Sequence, residues 1–143
     1  VVMKLLWREE LSVGNNVIDA DHKYLIEIIN MVQQSLEAKD RTELNRLLDD
    51  LSNYSLVHFD REEKIANAAG YAQAQQLGLS HQALLKQLEQ VRAEIEEMGQ
   101  GWSPEVARHF TNFLRDWLIN HVINEDCLMK PLLEKFSPDF DAR

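Results

Sequence analysis

Apolar residues recur along this chain at intervals of three and four, the repeat of an amphipathic helix rather than of a strand. Behind an irregular arm ending at Gly14-Asn15-Asn16, the positions Ile18, Leu25, Ile28, Ile29, Val32 and Leu36 trace one stripe and predict a first helix over 18–38. Lys39-Asp40-Arg41-Thr42 reads as a polar turn in which Asp40 or Thr42 can cap the next helix. A second stripe, Leu44, Leu47, Leu48, Leu51, Leu56, Phe59 and Ile65, predicts a helix that ends near Gly70. Leu84, Leu85, Leu88, Val91 and Ile95 predict a third over 72–98, its first turns weakened by Gly78. Gly99-Gln100-Gly101 is the strongest break in the chain. Ser103-Pro104-Glu105 then has the serine cap and first-turn proline of a helix start. The fourth helix is expected to run through Phe110, Phe113, Leu114, Trp117, Leu118 and Val122 to about 129, where Pro131 bends or stops it. Four long helices joined by short turns predict an all-α fold, an up-down-up-down four-helix bundle with an irregular N-terminal arm.

Composition narrows the class. A chain of 143 residues that is 45% hydrophobic can bury one ordinary core, and residues 1–136 are read as a single domain. Residues 137–143, beginning Ser137-Pro138-Asp139, resemble the start of a linker. The net charge of −9 argues against nucleic acid or anionic lipid as a partner, since both call for a basic surface. No apolar run approaches the roughly 18–20 residues that span a bilayer, so no membrane partner is expected. The N-terminus lacks the pattern of a secretory signal, and it begins with valine: either Met3 is the native start or the chain has been cut from something longer. A single cysteine, Cys127, suits a cytoplasmic location and is expected to be packed rather than reactive.

The candidate chemistry lies in the histidines. His22, His58, His81 and His121 fall one per predicted helix, on or near the apolar stripe. A four-residue step turns a helix by about 400°, which sets His58 beside Glu62. Asp126 comes five residues after His121. Any one such histidine is most simply a hydrogen-bonded core residue. Four imidazoles and two carboxylates together are different, because burying them is costly unless something shares their lone pairs. A metal does so, and imidazole with carboxylate suits iron, manganese or zinc. Six protein ligands are too many for one ion with an open position, so two ions bridged by Glu62 and Asp126 are the economical arrangement. No paired Glu-x-x-His motif and no His-Glu-x-x-His is present, which sets aside ferritin-like and zincin-type sites.

The segments Trp7…Val13-Gly14…Ile18-Asp19-x-x-His22-x-x-Leu25, His58-Phe59-x-x-Glu62-Glu63 and Trp117-Leu118-x-x-His121-x-x-x-x-Asp126 resemble the bacterial hemerythrins, from Trp7 to about Leu133. The resemblance implies two iron ions bridged by the glutamate, the aspartate and a solvent-derived oxo or hydroxo group, with five histidines shared three to two. It implies dioxygen or a similar small ligand as partner, no enzymatic activity of the domain itself, and an apolar oxygen pocket at Leu25, Phe59, Trp117 and Leu118. It assigns His22 and His58 to one iron and His81 and His121 to the other.

One position departs from the family. The third helix there carries a His-x-x-x-His pair, and Leu77 stands four residues before His81 where a ligand is expected. Each iron is then left with two imidazoles, and the expected pair is more symmetric, more open and more easily oxidised. That expectation favours an oxygen or redox sensor, the regulatory part of a larger signalling protein, over a stand-alone dioxygen carrier or store. A di-iron enzyme handling peroxide or nitric oxide ranks third, for want of a visible proton donor. His109 is about 120° around the helix from His121 and is not expected to ligate. Glu63 and Glu125 neighbour the carboxylate ligands and are expected to face solvent.

Overall fold

The computed structural model describes residues 3–142, and every regular element among them is helical. Four long segments make the bundle: α1 Asn16–Ala38, α2 Arg41–Ala69, α3 Ala74–Glu97 and α4 Pro104–Asp116. The fourth continues through a π-helical turn, Trp117–Ile123, into the short helices α5 Asn124–Asp126 and α6 Lys130–Leu133, with a 3-10 turn Cys127–Met129 between them.

The caps expected at Asp40 and Ser103 are in place, and Asn15 caps α1 as well. The side chain of Asn15 accepts the Ile18 N–H at 3.0 Å, Asp40 that of Glu43 at 3.1 Å and Ser103 that of Val106 at 3.2 Å. α2 stops at Gly70, whose φ of 79° lies in the left-handed region that a residue without Cβ enters freely. Two differences matter. The fourth helix is not α-helical throughout, because one π turn interrupts it. Pro131 sits in the first turn of α6, where its missing N–H costs little, rather than ending the helix.

The N-terminal arm and the C-terminal segment are both tied to α1. In the arm, Leu5 and the Asn30 side chain exchange two hydrogen bonds of 2.9 Å. Asp19 accepts the Ser12 hydroxyl at 2.5 Å and the buried Val13 N–H at 2.9 Å. The stretch expected to begin a linker packs on the start of α1. The backbone N–H of Asn16 donates to Pro138 O at 2.7 Å, the Asn15 amide donates to Phe140 O at 2.8 Å, and the Phe136 and Phe140 rings meet at 4.5 Å.

Two apolar clusters fill the interior. The larger includes Leu25, Ile29, Leu51, Phe59, Leu84, Leu114, Trp117 and Ile123; the smaller includes Val13, Ile18, Ile65, Leu77, Met129 and Leu133. On α1 the change from one cluster to the other falls between Ile18 and Leu25, on α2 between Phe59 and Ile65, on α3 between Leu77 and Leu84, and after the π turn between Ile123 and Met129. Those four gaps hold His22, Glu62, His81 and Asp126, with His58 beside them. The helices thus carry one polar layer at a common height.

Asp19→Ala removes the acceptor of the buried Val13 N–H and should cost about 1–3 kcal/mol. Urea unfolding measures this, and an unchanged midpoint would show that other contacts hold the arm.

Candidate metal centre

Helical phase delivers the donors. His22 on α1, His58 and Glu62 one turn apart on α2, and Asp126 on α5 are almost wholly buried, and their donor atoms all lie within 4.8 Å of one another. His22 Nε2 is 2.8 Å from Asp126 Oδ2 and 3.7 Å from Glu62 Oε2. His58 Nε2 is 3.0 Å from the same Glu62 oxygen and 3.8 Å from the same Asp126 oxygen. One oxygen of each carboxylate therefore faces the His22–His58 pair. The other Glu62 oxygen, Oε1, lies 3.0 Å from His81 Nε2. Among the described residues, Asp126 Oδ1 has no hydrogen-bond partner, and neither has His22 Nδ1.

Outer contacts fix the rings. His58 Nδ1 lies 3.0 Å from Asp21 Oδ2, and Asp21 also accepts the Tyr54 hydroxyl at 2.6 Å and pairs with Arg61 at 3.0 Å. His81 Nδ1 lies 2.9 Å from Glu63 Oε2, and the Phe59 ring stacks on the His81 imidazole at 4.1 Å. A carboxylate on one ring nitrogen fixes the tautomer and ring orientation and leaves the other nitrogen's lone pair free for a metal. Glu63 is thus a correction to the expectation that it faces elsewhere, as is Glu125, which accepts the Ser80 hydroxyl at 2.6 Å. Adjacency to a ligand misleads in both cases, since a long side chain bends across to the neighbouring helix: Glu63 to His81 in the layer, Glu125 to Ser80 beside it. Asp21 gives no signal in sequence spacing, because its partner lies 37 residues away.

The electrostatics show how tightly these groups are coupled. Burial would depress the His22 and His58 pKa values, but the neighbouring Asp126 and Glu62 oxygens overcome it and raise both, His58 well above the ordinary value. His81 is raised for the same reason, against burial, by Glu62 and Glu63. Burial would also raise the Glu62 carboxyl, yet the His58 charge and hydrogen bonds within the layer hold it well below the usual range. Asp126 is pushed up to about 7 by burial and by the Glu62 charge beside it. This is an electron-pair-rich set that binds protons when no metal is there to take their place.

Two expected ligand positions behave differently. Leu77 is buried in the smaller apolar cluster with Ile65 and Met129 and presents hydrocarbon. His121 is a correction to the expected grouping: it is exposed, and it lines a surface groove with Gln87, Glu94 and Asp116 rather than joining the layer. The π turn explains this. Trp117 with Val122, and Leu118 with Ile123, face inward at the five-residue repeat of a π-helix, and His121 falls out of phase with them. The expected apolar pocket residues Leu25, Phe59, Trp117 and Leu118 are all buried in the larger cluster, and Trp117 is held there by a hydrogen bond from its Nε1 to Leu84 O at 3.0 Å.

The donor set fits one metal position fully. Four buried groups converge on it, and among the described residues two of their atoms, Glu62 Oε2 and His58 Nε2, are left without the hydrogen-bond partner that a buried polar atom otherwise needs. A second position, beside His81, has fewer groups.

Buried imidazoles sharing two carboxylates in the middle of a four-helix bundle define a non-haem metal-binding bundle. The chain belongs to the hemerythrin family: the Hemerythrin HHE cation binding domain matches residues 13–133. The bacteriohemerythrin of Methylococcus capsulatus is 32% identical over 133 residues, which is 92% of this chain and 98% of that protein. The bacteriohemerythrin of Pseudomonas aeruginosa PAO1 is 27% identical over 122 residues, 85% of this chain and 76% of the relative. The crystal structure of wild-type hemerythrin superposes with a TM-score of 0.76 at 24% identity, over 92% of this chain and 99% of the other, and shows the same fold. The chain is therefore a hemerythrin-type metal-binding, oxygen-binding domain, of a family that binds a di-iron centre and whose members are oxygen-binding proteins rather than enzymes. No helix among its described residues is long and apolar enough to cross a membrane.

The coupled layer sets a pH dependence for the metal-free protein. His22 and His58 have folded-state pKa values raised above the ordinary 6.5, so their stabilisation is fully present below about pH 6.5 and is lost as pH rises through the folded values. Asp126, raised to about 7, works in the same direction. Glu62, held low, adds stability only above its ordinary 4.5 and changes little in this window. The metal-free protein should melt at a lower temperature at about pH 8 than at about pH 6. A higher melting temperature at the alkaline end would show that these groups are not coupled as the geometry implies.

Proposed function

We propose that this chain is an oxygen- or redox-sensing domain, the regulatory part of a larger cytoplasmic signalling protein. Its polar layer would hold two irons between Glu62 and Asp126, with His22, His58 and His81 as imidazole ligands. When bound, iron supplies the change of redox state and the open position that a small ligand such as dioxygen needs. The observation that carries the sensing reading is Leu77. A buried hydrocarbon where the family places a histidine leaves the second position short of a donor, which suits response to oxygen better than stable carriage.

The chain's own residues supply the rest. Leu25, Phe59, Trp117 and Leu118 wall the layer on one side with apolar surface and keep bulk water from it. On the other side the smaller cluster joins the layer to Val13 of the arm and to the C-terminal segment at Phe136 and Phe140. α1 carries His22, and six residues earlier its Asn16 is bonded to the C-terminal segment. A shift of α1 when the layer changes charge has a short mechanical route to residues 137–142.

Two measurements test this. Oxidation of the iron-loaded protein in air, monitored by its visible spectrum, should be several-fold faster than in the Leu77→His variant; an equal rate removes the role given to Leu77. Hydrogen exchange over 137–142 should differ between the reduced, anaerobic protein and the oxidised one. Identical protection would cut the proposed output and leave a carrier or store.

A further inference from the structure

We infer that the two metal positions are unequal and fill in order: one divalent ion binds tightly among His22, His58, Glu62 and Asp126, and a second binds more weakly beside His81, without His121. The inference rests on the hemerythrin-type reading of the site and deepens it. Ligand counting along the sequence leaves two imidazoles for each ion. The tertiary structure divides them two to one.

The first position has four donors within 4.8 Å of one another, and helices from three parts of the chain hold them. The second has His81 Nε2 and Glu62 Oε1, 3.0 Å apart; Asp126 Oδ1, which has no hydrogen-bond partner among the described residues, is the one further donor assigned to it, so both carboxylates are shared with the first ion. Leu77 has no lone pair to offer. His121 is kept away by the packing of its own turn: moving it inward would displace Val122 or Ile123, which are at most 1% exposed, and disturb the Trp117 hydrogen bond to Leu84 O. A second cation also enters against the charge of the first, within a shared pair of carboxylates.

The second position is nevertheless a prepared one. Glu63 lies 2.9 Å from His81 Nδ1, which leaves Nε2 as the metal-facing nitrogen. Gly78 makes room for that carboxylate, since a Cβ there would stand 3.0 Å from Glu63 Oε1. Stacking on Phe59 holds the ring plane. Three protein donors leave several coordination sites of a second ion to water or an added ligand, which is the reverse of the histidine-rich second iron that the family resemblance implies.

The test is an anaerobic titration of the metal-free full chain with cobalt(II) alone, read by visible absorption and calorimetry. Two steps of one ion each are expected, the second at least about tenfold weaker, the scale on which even a lost outer contact of a ligand acts. His121→Ala should leave both steps unchanged, and its exposed position makes misfolding no concern. Glu63→Gln should weaken the second step by about 10- to 100-fold and spare the first. Leu77→His should strengthen the second step, with circular dichroism confirming native helicity. Two ions bound with one affinity, or loss of the second step in His121→Ala, would overturn the inference while leaving the metal-binding reading standing. No cobalt uptake by a natively folded chain would overturn both.

Discussion

Two carboxylates and three imidazoles share one buried layer of this bundle, and the surrounding structure reflects the need to satisfy them. An ionised carboxylate removed from water is strongly destabilised unless charges and hydrogen bonds replace the lost solvation. Glu62 obtains that replacement from His22, His58 and His81, which approach it from two other helices and from its own. Asp126 obtains less, and its raised pKa of about 7 expresses the shortfall. Metal ions relieve both at once by accepting the electron pairs that otherwise hold protons. The apolar clusters above and below then act as insulation, keeping the layer's interactions strong by keeping water away.

Support for the layer comes from one step further out. Asp21 is held by Tyr54 and Arg61 and in turn holds His58. Glu63 does the same for His81 in the space that Gly78 leaves. The arm and the C-terminal segment close the end of the bundle through Asp19, Asn15 and Asn16, on the helix that carries His22. Position in the layer, the charge of each group and the docking of the arm and the C-terminal segment are therefore parts of one connected arrangement.

Much of this arrangement is legible in the order of residues. The helical period places the four helices, Asp40 and Ser103 mark the starts of two of them, and the spacing of His58 and Glu62 sets two ligands side by side on α2. Adjacency is a poor guide, because a residue next to a ligand need not face away from it. Glu63 and Glu125 have side chains long enough to bend back to His81 and Ser80. The phase of the last helix is equally deceptive. An α-helical count leaves His121 and Asp126 about 140° apart, and the π turn does not bring them together: Asp126 stays in the layer and His121 lies at the surface.

The sequence by itself determined the features that are periodic and local: four amphipathic helices, the caps at Asp40 and Ser103, and the donor types. The physical reason is that each depends on neighbours within a turn or two of the same chain. The tertiary structure alone decided which donors meet. Asp21 reaches His58 across 37 residues, the C-terminal segment returns to the start of α1, and competition for the inward face among Trp117, Leu118, Val122 and Ile123 turns His121 to the surface. Such choices depend on packing between helices, and no single helix encodes them.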